Sequence, residues 1–130
     1  MIGRIMVAVD DSAPALAAAE FAIEFVTGRP ADLHVVTVRE PGRDAEALLR
    51  HVESMAAGAG VEVTSTICED GQPFDALLDV ASRLDVDLIV MGRSDMRRPG
   101  ARYVGSQTEH LLEFTDVPVL VVPTSARAPS

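Results

Sequence analysis

Five short runs of apolar, mostly β-branched residues alternate in this chain with stretches whose apolar residues recur at helical spacing, and no other feature constrains the fold as much. Ile5 to Val9 (IMVAV) reads as a buried strand that stops at Asp10-Asp11. Ser12 is placed to cap a helix that tolerates Pro14 in its first turn and buries Ala18, Phe21, Ala22, Phe25 and Val26 before Gly28 ends it. Leu33 to Val38 is a second strand, and Asp44 opens a second helix carrying Leu48, Val52 and Met55, closed by Gly58 and Gly60. Val61 to Ile67 alternates Val61, Val63, Ser65 and Ile67 with Glu62, Thr64 and Thr66, the pattern of a strand with one wetter face at a sheet edge. Pro73 starts a third helix with Phe74, Leu77, Leu78, Ala81 and Leu84 on its apolar stripe, and Asp87 to Met91 is a fourth strand. A loop to Val104, a short helix with Thr108, Leu111 and Leu112 on one face, and a fifth strand from Val117 to Val122 complete the pattern. Parallel neighbours need crossovers, so this alternation predicts an α/β fold: a five-stranded parallel sheet with helices on both faces.

Sheets of this kind bind ligands outside the carboxyl ends of their strands. The candidates are therefore Asp10 and Asp11 after the first strand, Arg39 and Glu40 after the second, and Gly92 onward after the fourth. A length of 130 residues fits one domain, with residues 124–130 as a flexible tail. The formal charge of −9 argues against nucleic acid or an anionic membrane surface as the main partner. No apolar run approaches the roughly 20 residues of a membrane span, and the N-terminus lacks the pattern of a signal peptide, so a cytoplasmic protein is expected. The sequence contains no lysine, which excludes a Walker A loop and Schiff-base chemistry. The single cysteine, Cys68, excludes an internal disulfide and reads as a small packed hydrophobe. His34, His51 and His110 do not cluster, so no metal centre or triad is expected from them. Asp85 and Asp87 read as solvated turn residues at a strand entry.

The segment Met91 to Thr108 concentrates the chemistry. Gly92 follows a strand, and Gly105-Ser106 opens a helix whose first N–H groups and positive dipole end suit an anion. Arg93, Arg97, Arg98 and Arg102 lie between them, in a chain with 11 basic residues altogether. An anion site accounts for that clustering better than an ordinary exposed crossover loop does.

The spacing resembles the G-x2-G-x9-G-[ST] signature of the universal stress protein family, reading here Gly92, Asp95 in place of the second glycine, and Gly105-Ser106. The segments VAVDDS, LHVV, LIVMG and VPVLVVP stand in the corresponding order, and the resemblance covers residues 3–123. It implies a domain over residues 1–123, a 3-2-1-4-5 strand order and a Rossmann-like nucleotide site. Ala8, Val9, Asp10 and Val35 would lie at the adenine and ribose end, with Met91, Gly92, Arg93, Gly105, Ser106, Gln107 and Thr108 around the phosphates. The implied ligand is ATP, or AMP or ADP, with Mg²⁺ as an accompanying ion. The implied assembly is a homodimer through the last strand, Val119, Leu120, Val121 and Val122.

Asp95 departs from the family pattern. A carboxylate about 4 Å from a phosphate repels it by about 1 kcal/mol in water and about 4 at an effective dielectric of 20. Bridging Mg²⁺ or a loop arginine would offset it. Three functions follow: a regulatory protein that binds adenine nucleotide without efficient catalysis, a dimeric interaction module that regulates a partner protein without the ligand, and a slow ATPase.

Overall fold

The computed structural model describes residues 2–69, 73–93 and 115–124. Its strands are β1 (Arg4–Ala8), β2 (Asp32–Val38), β3 (Val63–Cys68), β4 (Leu88–Gly92) and β5 (Val119–Val122), and its helices are α1 (Ala13–Val26), α2 (Ala45–Gly58) and α3 (Pro73–Leu84). All pairings are parallel and the sheet order is β3-β2-β1-β4-β5. The wetter third strand is indeed at an edge.

Both helix starts follow the expected chemistry. The Ser12 hydroxyl accepts from the Ala15 N–H at 3.3 Å, and the Asp44 carboxylate accepts from the Ala47 N–H at 2.9 Å. Alternation along the central strands then sorts side chains to two layers. Ile5, Val7, Leu33, Val35, Leu88 and Val90 pack under α1 and α2, whose contributions include Ala18, Ala22, Ile23, Val52 and Ala56. Met6, Val36, Ile89 and Met91 face the opposite way, against Leu77, Val80 and Ala81 of α3. Full burial of a Val or Ile side chain is worth about 1.5–3 kcal/mol, so the two layers carry the fold.

Two strands are shorter than their hydrophobic runs. The Val61 N–H bonds the Ala56 carbonyl, which ties it to the end of α2 and delays β3 to Val63. Pro118 has no N–H for a ladder, although its carbonyl accepts from Ile89 at 2.9 Å, and β5 begins only at Val119.

Asp87 is not a solvated turn residue. Its Oδ2 accepts from the N–H groups of Gly3 at 2.8 Å and Arg4 at 2.9 Å, and its own N–H donates to the Arg4 carbonyl. It pins the entrance of β1 to that of β4, and the Gly3 and Arg4 hydrogen bonds hold its pKa below the ordinary carboxylate value.

Candidate functional site

Order β3-β2-β1-β4-β5 puts the change of winding direction between β1 and β4, which pair from Ile5–Leu88 to Val7–Val90. Asp10 and Arg93, leaving these two strands, therefore emerge at neighbouring points of the carboxyl edge. Beside them lies a small open cleft, about 40 Å³ in volume, lined by Asp10, Asp11, Thr37, Val38, Glu40, Arg43, Asp44, Ala45 and Leu48. Its walls are the turn after β1, the end of β2 and the first turns of α2.

The expected base-end residues separate into two groups. Asp10 is exposed on the rim, its Oδ1 accepting from the Ser12 N–H at 2.8 Å. Ala8 is half-buried against the α3 layer, and Val9 is buried, its N–H bonded to the Val36 carbonyl. Val35 is wholly buried beneath α1 and α2 and is not among the residues that line the cleft. The position two residues on along the same face, Thr37, reaches the cleft from the end of the strand. Sequence reasoning missed it because an apolar-run pattern places a strand but not the level at which its packing stops.

At the β4 end, Met91 is buried in the α3 layer and Gly92 ends the strand. A Cβ on Gly92 would lie 2.3 Å from the Pro14 carbonyl oxygen and 2.8 Å from the Ala15 nitrogen. This glycine is therefore required by the close approach of α1's first turn, whatever else it serves. The exposed Arg93 continues the edge, its N–H donating to the Val122 carbonyl at 2.8 Å. Asp95, Gly105, Ser106, Gln107 and Thr108 lie outside the described residues, as do Arg97, Arg98 and Arg102.

The charges around the cleft are already organised. Arg39 grips Glu46 at the start of α2 with two hydrogen bonds, of 2.5 and 3.0 Å, and reaches Glu69 after β3 at 2.7 Å. These bonds, first the one to Glu46, raise the Arg39 pKa, and the same pairing takes Glu46 down to about 2. Arg43 pairs with Asp11 across the cleft and offsets its negative charge. No sequence pattern exposes that pair, which joins residues 32 positions apart. The remaining lining carboxylates, Asp10, Glu40 and Asp44, are hydrogen-bond acceptors suited to amine and hydroxyl donors and unsuited to phosphate.

A larger groove, about 500 Å³, crosses the opposite ends of β1, β2 and β3. His34 lines it, but both of its ring nitrogens are engaged, with the Thr64 hydroxyl at 2.6 Å and the Thr66 hydroxyl at 2.7 Å. Burial lowers the His34 pKa. The groove lies at the amino ends of the strands, away from the edge where such sheets bind ligands, so the smaller cleft is the better site.

The family model for the "Universal stress protein family" matches residues 1–55 and 42–123. The chain belongs to the universal stress protein family. Among its relatives, the Thermus aquaticus protein called universal stress protein in QAH/OAS sulfhydrylase 3′ region is 32% identical, covering 94% of this chain and 99% of that one. A universal stress protein of Archaeoglobus fulgidus is 34% identical over 92% of this chain and 43% of its own, with a TM-score of 0.74. A universal stress protein solved in complex with cAMP is 28% identical, covers 95% of this chain and 98% of its own, and has a TM-score of 0.76. The universal stress protein fold thus accounts for the sheet order. Among the described residues of this universal stress protein, no group of three or more His, Cys, Asp or Glu side chains is arranged to hold a metal ion.

Proposed function

We propose that this universal stress protein is a cytoplasmic regulatory protein that binds an adenine nucleotide without efficient turnover. The observation that carries the reading is the cleft at the carboxyl ends of β1 and β2, beside the β1–β4 junction. Its acceptors match the amine and ribose hydroxyls of an adenine nucleotide, and its negative lining directs phosphates away, toward the β4 side. There Gly92 is followed, after 12 residues, by Gly105-Ser106, where the sequence pattern predicts a helix start whose N–H groups would receive them, with Arg93, Gln107 and Thr108 close in sequence. The relative in complex with cAMP supports the same ligand class. Mg²⁺ would come with the phosphates and meet Asp95.

Titration calorimetry with ATP, ADP, AMP and cAMP, with and without Mg²⁺, tests the proposal. Saturable binding that Ser106→Asp abolishes is the expected result. Absence of heat with all four at millimolar concentration would sink it. Asp95→Gly should tighten ATP binding if Asp95 only repels, and should weaken it solely in the presence of magnesium if Asp95 holds the ion.

A second reading is a ligand-free interaction module, favoured by the replacement of the second motif glycine by Asp95. Mass spectrometry of ligand released from freshly purified protein separates the two. Linear phosphate release that disappears in Gly105→Asp would instead mark a slow ATPase. Both main readings include a homodimer through β5. Val119, Leu120 and Val121 are only half-buried at this apolar edge of the sheet, and two copies could pair these strands antiparallel.

A further inference from the structure

The Arg43–Asp11 pair joins opposite walls of the cleft: Asp11 comes from the turn after β1 and Arg43 from the turn before α2. Each arm stands on a fixed backbone. Asp11 lies between Asp10, whose carboxylate holds the Ser12 N–H, and Ser12, which caps α1. Arg43 lies between Gly42, set in the left-handed region at φ +77°, and Asp44, which caps α2, and its own N–H bonds the Glu40 carbonyl at 3.2 Å. The Arg39 bonds to Glu46 and Glu69 hold the same end of α2 against the end of β3. Beyond the pair itself the two side chains are solvent-exposed, with relative exposures of 59% for Arg43 and 55% for Asp11. The two arms can therefore part by changing rotamer, without moving the walls.

We propose that the Arg43–Asp11 pair is a latch across the base end of the nucleotide cleft, which a bound base must open. The inference rests on the adenine-nucleotide reading and adds to it a dependence on ionic strength. An exposed ion pair is weak and screened by salt, so the latch opposes binding by no more than about fivefold. Its sign is distinctive. Salt weakens the attraction between a phosphate and arginines, but by loosening the latch it strengthens binding of an uncharged nucleoside.

Adenosine is the probe, titrated from 20 mM to 500 mM NaCl by calorimetry or ligand-observed NMR. Wild-type affinity should rise about two- to fivefold with salt. Arg43→Gln and Asp11→Asn should each bind more tightly at low salt and lose the salt dependence, while the exchanged pair Asp11→Arg with Arg43→Asp should restore it. Equal affinities and equal salt slopes in wild type and single variants would overturn the latch. If no form binds adenosine at millimolar concentration, the nucleotide reading fails at this cleft, and the latch is then judged by the NMR signals of the Arg43 guanidinium. A shift of those signals in Asp11→Asn that salt reproduces in the wild type supports the pair, and unchanged signals refute it.

Discussion

The two edges of the sheet solve the same problem in opposite ways. At β3 the exposed Thr64 and the half-buried Thr66 turn their hydroxyls to the ring of His34, and the Ser65 hydroxyl reaches Glu53 of α2 at 3.4 Å. Glu62 and Glu69 flank the strand, so this edge is wet and charged at both ends, a poor template for a second strand. At β5 the four residues are Val119, Leu120, Val121 and Val122, with no charged residue between Asp116 and Arg127. Leu120 packs toward the α1–α2 layer and Val119 toward the α3 layer, yet only Val122 is fully buried. An edge that closes its own polar groups stands alone, whereas an apolar edge requires cover. The proposed pairing of β5 with a second copy rests on that difference.

The largest effect should come from a charge placed at the apolar edge. Val121→Asp is expected to weaken dimerisation at least a hundredfold, about 3 kcal/mol, because an unpaired carboxylate would be buried between the subunits. Sedimentation equilibrium measures it, with Thr64→Asp at the opposite edge leaving the oligomeric state unchanged. A wild-type monomer at micromolar concentration would break the comparison outright.

Stability on the β5 side also hinges on Gly92, where a Cβ has only the backbone of Pro14 and Ala15 to displace. Gly92→Ala should cost about 2–3 kcal/mol in urea denaturation, the range of overpacking against a rigid neighbour. At the β3 edge the corresponding loss is smaller. Thr66→Val leaves the His34 Nε2 without its hydroxyl partner and should cost about 1 kcal/mol.

The pH dependences sharpen the contrast further. The His34 pKa lies lower in the folded state than in the unfolded chain, so folding favours the neutral ring. Its contribution is complete above the unfolded value near 6.5 and is lost as pH falls from there through the folded value; His34→Gln should flatten that part of the stability curve. Glu46 gives the smallest effect, being exposed. With Arg39 holding it near 2, its contribution is present above the unfolded value of about 4.5 and disappears as pH falls toward 2. Arg39→Gln should remove that slope, and thermal melts between pH 5 and pH 2 provide the measurement.

Local periodicity and capping made the elements legible in the sequence: the alternating strands and helices, the caps at Ser12 and Asp44, and the wet third strand depend on residues within a few positions of one another. The glycine spacing from Gly92 to Gly105 carried the family resemblance, and with it the strand order and the candidate edge. What lay beyond reach was every relation set by approach in space. Asp11 meets Arg43, Arg39 joins the ends of β3 and α2, and Asp87 pins the start of β1, all between residues distant in the chain. That Val35 is buried while Thr37 lines the cleft is likewise illegible in the sequence, because a strand pattern tells which face a side chain takes, not where along that face the helices cease to cover it. Gly92 shows the division within one residue. Its place after a buried strand was visible in the sequence, but that the first turn of α1 leaves no room for a Cβ was decided only when β4 and α1 were packed together.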